Sequence, residues 1–280
     1  MDFLEILKII AIGIIEGITE WLPISSTGHM LIFQEFVSFD GLSDEFMDMF
    51  NVVIQLGAIM AVVVIYFKKL WPFAKQNGKI GFDMEKVSLW IKIVIACIPL
   101  GIIGVLFEDA IDAVLMTAVV TAIALIFYGI LFIIIEKKGL GSNARYVSAN
   151  AITYKTAIFI GLFQLLSLVP GTSRSGATII GGMLVGTSRV AAAEFTFYLG
   201  IPVMFGASLL KVIKYIMDGS MFTVTEILAL VLGMVTAFVT SMLAIKFLIG
   251  YIKKHNFVVF GWYRIALGCL VLLLHFLFRL

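Results

Sequence analysis

Long apolar stretches, interrupted by short polar ones, run the length of this 280-residue chain. A helix needs about 20 consecutive apolar residues to cross a bilayer. Six stretches approach or exceed that length, and over them we predict transmembrane helices at about 50–67, 88–107, 113–135, 190–217, 226–249 and 257–278. The other apolar arms are too short to span. They come in two pairs, and each pair meets at a polar tip.

These short arms predict two re-entrant hairpins. The first covers about residues 1–38, where Pro23 and Gly28 break any helix. The second covers about residues 156–186 and has the tip Pro170–Thr178. Irregular backbone at membrane depth is tolerated only where it lines a protein cavity. We therefore expect the two tips to meet inside the membrane.

Composition identifies the class of protein. Apolar residues make up 61% of the chain and charged residues 14%, and the mean hydropathy is +1.11. Soluble domains carry roughly 45–50% apolar and about 25% charged residues. The chain is therefore predicted to be an all-α polytopic membrane protein, surrounded by a lipid bilayer and without a nucleic-acid partner.

The charges between the predicted spans give an orientation. The connector after the first span is basic, with Lys68, Lys69, Lys75, Lys79 and Lys86. The connector after the second span is acidic, with Glu108, Asp109 and Asp112. The connector after the third span is again basic, with Lys137, Lys138, Arg145 and Lys155. Basic loops lie in the cytoplasm, so the first hairpin enters from outside and the second from inside. We predict an inverted-topology repeat of residues 1–140 and 150–280, each half a re-entrant helical hairpin plus three transmembrane helices.

Carboxylates mark the first tip as a candidate site. Glu16 and Glu20 are four residues apart and share one face of a helix. An ionised carboxylate in the bilayer costs roughly 2.5–3.5 kcal/mol or more, so something must offset that cost. Arg174, a bound divalent cation or a water-filled cavity would each do so. The alternative is that both carboxylates face a vestibule without chemistry.

Hydroxyl groups and an imidazole follow in the same tip. Ser25, Ser26 and Thr27 are possible nucleophiles, which need a neighbouring base to become reactive. His29 comes three residues after Ser26, within reach if the turn is helical, and it is a candidate acid or base. A structural role is the more common fate of a lone histidine, but here two carboxylates lie close by in the sequence.

The second tip has the residue types that bind phosphate. Gly171 and Gly176 allow close backbone approach. Further donors follow from Thr172, Ser173, Ser175 and Thr178. A helix beginning at Gly176 attracts anions at its N-terminus, and the Arg174 guanidinium matches phosphate oxygens. The alternative is an ordinary Pro-Gly turn with an exposed arginine.

Two polar residues outside the tips are less specific. Gln55 either lines the cavity or makes a hydrogen bond between helices. Arg264, about two turns into the last span, either lines the site or extends to the cytoplasmic face. Residue chemistry alone leaves Ser25, Ser26 and water open as the nucleophile.

These motifs resemble those of the bacitracin-resistance family of undecaprenyl-diphosphate phosphatases. The similar elements are Glu-x-x-x-Glu at Glu16 and Glu20, Ser-Ser-Thr-Gly-His at Ser25–His29, and Pro-Gly-x-Ser-Arg-Ser-x-x-Thr at Pro170–Thr178. The resemblance implies removal of the terminal phosphate of undecaprenyl diphosphate, which regenerates the lipid carrier of peptidoglycan synthesis and confers bacitracin resistance. It also implies a multi-pass protein of the bacterial inner membrane, with its site open to the outside.

The resemblance further implies a role for each residue. Ser26 is then the nucleophile and His29 the acid or base. Glu16 and Glu20 handle protons or a divalent cation, Mg²⁺ or Ca²⁺, and Arg174 with Ser173 holds the diphosphate. A homodimer is a further possibility.

Two other functions compete with hydrolysis. Inverted repeats with paired re-entrant tips are typical of secondary transporters, so a polyprenyl-phosphate flippase is an alternative, alone or as a second activity. Thr27–His29 and Ser173-Arg174 also resemble elements of the other class of integral lipid phosphatases. That class needs a histidine after the arginine at a suitable distance, which this chain lacks.

Overall fold

The computed structural model describes residues 2–39, 41–76 and 79–278. Some of the charges used above for orientation belong to side chains outside the described part: Lys75, Lys79, Glu108, Asp109 and Asp112. The described chain is almost entirely helical. Its elements are α1 (Phe3–Thr19), α2 (Ser26–Phe36), α3 (Asp44–Val53), α4 (Gln55–Leu70), β1 (Phe73–Gln76), β2 (Lys79–Phe82), α5 (Met84–Leu115), α6 (Ala118–Lys137), α7 (Tyr154–Gln164), a 3-10 turn (Leu165–Leu168), α8 (Arg174–Leu184), α9 (Arg189–Met217), α10 (Val224–Ile252) and α11 (Val258–Phe278).

Six helical segments among the described residues are long and apolar enough to cross a membrane. They are Asp44–Leu70, Met84–Phe107, Ala118–Lys137, Arg189–Met217, Val224–Ile252 and Val258–Leu277. This confirms the prediction of an all-α polytopic membrane protein. The first segment consists of α3 and α4, which meet at Ile54.

The first span begins earlier than the predicted residue 50. Ser43 caps α3 by accepting a hydrogen bond from the Phe46 amide at 3.1 Å. Asp44 and Glu45 lie in the first turn, where carboxylates interact favourably with the helix dipole. The acidic segment that includes Asp48 is therefore part of the first helical span.

The connector between the second and third spans also differs from the prediction. Helix α5 continues past residue 107 to Leu115, and α6 begins at Ala118 and not at residue 113. Thr117 caps α6 by accepting from the Val120 amide at 3.2 Å. The basic connector after the first span contains an unpredicted antiparallel hairpin, in which Phe73 of β1 pairs with Phe82 of β2.

The two pairs of short helices pack against long helices of the opposite half. Helix α1 packs against α10, and α7 packs against α5. In the same way, α4 packs against α10 and α9 against α5, while α6 packs against α11. Corresponding helices of the two halves thus make corresponding contacts with the opposite half. The inverted orientation of residues 1–140 and 150–280 in the bilayer stays a prediction.

Candidate active site

The two polar tips share one unusual backbone conformation. Ser25 has a φ of 74° and Ser173 a φ of 69°, and no other non-glycine among the described residues has a positive φ. Each serine caps the helix that follows it. Ser25 Oγ accepts from the Gly28 amide at 3.3 Å, and Ser173 Oγ accepts from the Gly176 amide at 3.2 Å. Strained backbone of this kind costs about 1–3 kcal/mol per residue and clusters at functional sites.

This geometry gives Ser26 and Arg174 equivalent positions at the first residues of α2 and α8. Helix α8 begins two residues before the predicted Gly176, because Ser173 rather than a glycine provides the cap. The first amides of each helix have no intrahelical partner. The N-termini of α2 and α8 therefore lie at the same site, and a helix N-terminus attracts anions.

A buried ion pair joins the two tips. Arg174 Nη2 lies 3.0 Å from Glu20 Oε1, and both side chains are 8% exposed. The other oxygen of Glu20, Oε2, accepts from the Ser26 hydroxyl at 3.0 Å. Arg174 also donates to the Thr196 carbonyl at 3.0 Å and lies 5.7 Å from the Trp21 ring centre. The Glu20 carboxylate is thus hydrogen-bonded both to the Ser26 hydroxyl and to the Arg174 guanidinium.

Most hydroxyls of the second tip are engaged by the protein itself. Ser175 donates to the Glu20 carbonyl at 3.0 Å, which is a second link between the tips. Thr178 donates to the Arg174 carbonyl at 2.8 Å. Ser173 and Ser175 lie 3.1 Å apart, oxygen to oxygen. Ser175 and Thr178 therefore hold the tip together, and the Ser173 hydroxyl is also occupied as a cap.

The predicted histidine lies in the site but not on Ser26. His29 Nδ1 is 2.7 Å from the Ser25 carbonyl oxygen, and Nε2 is 2.8 Å from the Tyr263 hydroxyl. Both ring nitrogens are therefore engaged elsewhere. The base in contact with the Ser26 hydroxyl is Glu20.

Arg264 of α11 holds the backbones of both tips. It is fully buried, and it donates to the Pro23 carbonyl at 3.1 Å and to the Gly171 and Thr172 carbonyls at 2.7 and 2.8 Å. Its guanidinium also lies 5.8 Å from the Tyr128 ring centre. Of the two positions that the sequence left open for Arg264, the structure places it at the site. The feature of the sequence that indicated this placement was an ionisable residue within an apolar span.

Tyr263 was missed altogether. Nothing in the sequence distinguishes it from other aromatic residues of an apolar span, and only its contact with His29 reveals it.

The remaining predicted residues take different places. Gly171 has a φ of 86°, and a side chain there would collide with the Thr121 backbone, so this position requires glycine. Thr27 is exposed beside Ser26. Thr172 is buried, and its hydroxyl has no partner among the described atoms. Gln55 begins α4 and is half-buried, with no hydrogen bond to either tip among the described residues.

Unpartnered polar atoms surround the ion pair. Glu16 is 1% exposed, and its Oε1 has no hydrogen-bond partner among the described atoms. The same is true of Trp21 Nε1 and Arg174 Nε. Buried polar groups almost always have partners, so these atoms indicate a place for water or a polar ligand.

A divalent cation fits this site only together with other oxygen ligands. The described residues contain no group of three or more His, Cys, Asp or Glu side chains that could hold a metal ion. Mg²⁺ is commonly bound through one or two carboxylates plus substrate phosphates. Glu16, with its unpartnered oxygen, suits that arrangement, whereas both oxygens of Glu20 are engaged.

The fold and this site define an integral membrane protein with a buried hydroxyl–carboxylate–guanidinium centre at two helix N-termini. Residues 9–270 match the model of the family described as bacitracin resistance protein BacA. The chain belongs to that family.

Curated relatives match over nearly their whole length. The chain is 59% identical over 271 residues to "Undecaprenyl-diphosphatase" of Lachnoclostridium phytofermentans, covering 97% of each chain. It is 57% identical over 275 residues to a protein of the same name from Enterococcus faecalis, covering 98% of each. It is 56% identical over 273 residues to "Undecaprenyl-diphosphatase 1" of Clostridium acetobutylicum, covering 97% of this chain and 98% of the relative.

Proposed function

We propose that this protein hydrolyses undecaprenyl diphosphate to undecaprenyl phosphate and inorganic phosphate. This activity regenerates the lipid carrier of peptidoglycan synthesis and confers bacitracin resistance. The observation that carries the proposal is the contact of Ser26 with Glu20 and of Glu20 with Arg174. It places a hydroxyl, a base and a phosphate-binding cation together, and the names of the relatives specify the substrate.

The chemistry starts from the resting geometry. The terminal phosphate of the substrate binds at the N-termini of α2 and α8, beside Arg174, while the polyprenyl tail lies among the lipids. The Ser26 oxygen attacks the terminal phosphorus, and its proton passes to Glu20 Oε2, 3.0 Å away. The bond from phosphorus to the bridging oxygen breaks, and undecaprenyl phosphate leaves with that electron pair. Arg174 and the helix amides stabilise the charge on the transferred group.

Water completes the turnover. It attacks the phosphorus of phosphorylated Ser26, His29 accepts a proton from the water, and the bond between phosphorus and the Ser26 oxygen breaks. Glu20 returns its proton to Ser26, and His29 passes the proton that it accepted to the departing phosphate. The sum is one diphosphate and one water converted to one monophosphate and one phosphate.

Ser26 is preferred over Ser25 because of their surroundings. Ser25 is 1% exposed, and its hydroxyl oxygen accepts from Gly28 as a helix cap. Ser26 is only partly buried and is already bonded to a carboxylate that can take its proton.

A Mg²⁺ or Ca²⁺ ion is part of the proposal. Glu16 would hold it through its unpartnered oxygen, together with phosphate oxygens of the substrate, and the bound ion would neutralise phosphate charge. Glu20, which the sequence also suggested as a ligand, is engaged by Ser26 and Arg174. Activity is expected to disappear when the purified protein is treated with a chelator, and to return on addition of one of the two ions. Activity that persists in excess chelator would rule out the cation requirement.

We place the protein in the bacterial inner membrane, with its site open to the periplasmic or external side. The distribution of basic connectors supports this orientation. The homodimer stays a prediction that chemical cross-linking in membranes would test.

Phosphate release tests the proposed function. Purified protein in detergent is given undecaprenyl diphosphate, and free phosphate and undecaprenyl phosphate are measured together. We expect equal amounts of the two products. No phosphate release in detergent, together with transfer of the lipid between leaflets after reconstitution into vesicles, would favour the flippase alternative, which the names of the relatives do not support.

A further inference from the structure

We propose that Tyr263 is a positioning residue for His29. Its hydroxyl fixes the direction of the imidazole through Nε2, the nitrogen that exchanges a proton during turnover. This inference rests on the proposed function, in which His29 accepts a proton from the hydrolytic water.

The hydrogen bonds of the ring determine the tautomer. His29 Nδ1 lies 2.7 Å from the carbonyl oxygen of Ser25, which can only accept a hydrogen bond. Nδ1 must therefore carry a proton, and in the neutral ring Nε2 has the lone pair. The Tyr263 hydroxyl, 2.8 Å from Nε2, then donates to it.

A tyrosine suits this position in both protonation states of the histidine. A phenolic hydroxyl both donates and accepts. It donates to Nε2 while the ring is neutral. When the ring takes up a proton, the hydroxyl proton moves to Nε2, the hydroxyl oxygen takes a proton from water in its place, and the hydroxyl then accepts from Nε2. The aromatic rings are also stacked, with centres 5.6 Å apart and an angle of 11° between their planes. The contact therefore survives a cycle of proton uptake and release.

The charged side chains near His29 make their hydrogen bonds to groups other than the His29 ring. Arg264, next to Tyr263 in the chain, donates to backbone carbonyls of the two tips. Glu20 is bonded to Ser26 and Arg174. Among the described residues, Tyr263 is the one side chain that is hydrogen-bonded to the His29 ring.

Tyr263 also lies at the accessible edge of the site. It is 46% exposed, and Thr27, beside Ser26, is exposed as well. Nε2 is thus bonded to a half-exposed side chain, whereas Nδ1 is bonded to the backbone of the buried Ser25.

The chain offers a matched control for a hydroxyl deletion. Tyr251 and His255 also stack, with ring centres 4.5 Å apart and 16° between planes, and His255 Nδ1 is 3.2 Å from the Tyr251 carbonyl. This second pair lies at the end of α10, outside the two tips. Tyr251→Phe therefore removes a hydroxyl from a similar pair without touching the site.

Steady-state kinetics give the first test. Tyr263→Phe keeps the stacked ring and should lower kcat about tenfold, a part of the roughly 10²–10⁴-fold that general acid–base catalysis supplies. KM should stay within about twofold, because His29 is assigned to proton transfer and not to binding. Tyr251→Phe should leave both constants unchanged. A kcat for Tyr263→Phe equal to that of the wild type would overturn the proposal.

A double variant shows whether Tyr263 acts through His29. In a His29→Ala background, adding Tyr263→Phe should cause no further loss of phosphate release, because coupled residues are not additive. A further tenfold loss would mean that Tyr263 acts independently of His29, which contradicts a positioning role.

Nitrogen NMR separates this proposal from the proposed function. The chain has three histidines, so ¹⁵N-histidine labelling gives a simple spectrum, and His29→Ala identifies the His29 signals. The wild type should show a protonated Nδ1 and an unprotonated, hydrogen-bonded Nε2 at neutral pH. In Tyr263→Phe, Nδ1 should stay protonated, and the Nε2 signal should shift to that of a nitrogen that has lost its hydrogen bond. Unchanged His29 signals in Tyr263→Phe would refute the positioning role, even if the protein released no phosphate at all.

Discussion

Replacing Ser26 with alanine is expected to abolish phosphate release. The loss should be about three orders of magnitude or more, the scale seen when a catalytic nucleophile is removed. Ser26 is partly buried and takes part in no cap, so the variant should fold normally. Initial rates of phosphate release from undecaprenyl diphosphate measure the effect, and thermal unfolding in detergent checks the fold.

Ser25→Gly is the matched control for Ser26→Ala. Glycine adopts the φ of 74° at this position without strain, whereas alanine would not. Glycine in place of a capping serine costs only a few tenths of a kcal/mol, and we expect most of the activity to remain. The reverse pattern, activity lost in Ser25→Gly and kept in Ser26→Ala, would make Ser25 the nucleophile. Activity kept in both variants would point to water.

Arg264→Lys should have the second largest effect, although Arg264 touches no group assigned to the reaction. A lysine ammonium is a compact point charge, and it cannot span the carbonyls of Pro23 and Thr172 as the planar guanidinium does. Each buried carbonyl left unpaired costs about 1–3 kcal/mol. The tips should then move relative to each other, and displacement by about 1 Å can cost 10²-fold in rate. We expect kcat to fall about 100-fold.

Two further variants make this result interpretable. Arg189→Lys alters another arginine, which lies outside the tips and whose Nε donates to Glu136 at 2.8 Å. This variant should keep kcat while lowering the unfolding temperature. Gly176→Ala is a milder change at the site, since its new methyl group would lie 3.1 Å from Arg264 Nη1. It should lower kcat with less loss of stability. Full activity in both Arg264→Lys and Gly176→Ala would show that the tips hold their places without Arg264.

The sequence predicted the site residues best where placing a polar group in the membrane costs the most free energy. In an apolar chain, Glu20, Ser26 and Arg174 stand out because ionisable groups at membrane depth need a partner or a function. Their meeting was therefore predictable, and the structure brings all three together. The spans were predictable for the same reason, since apolar length is set by the thickness of the bilayer.

Side-chain direction was not predictable in the same way. The spacing of Ser26 and His29 allowed a contact between them, yet His29 turns to the Ser25 carbonyl and to Tyr263. That choice depends on how α11 is rotated against α2, which packing decides and local sequence does not. The helical start at Asp44 was missed for another reason: the apolar stretch begins only near residue 50, whereas the carboxylates before it suit the first turn of a helix.

The ion pair between Glu20 and Arg174 joins residues 154 positions apart. A ribosome that has made only the first 150 residues has therefore inserted the serine and its base but not their cation. A chain of that length also lacks Arg264 and Tyr263 of α11, which bond to the first tip and to His29. Neither half alone contains the complete site, so an incomplete molecule cannot act on the lipid carrier until synthesis has reached α11.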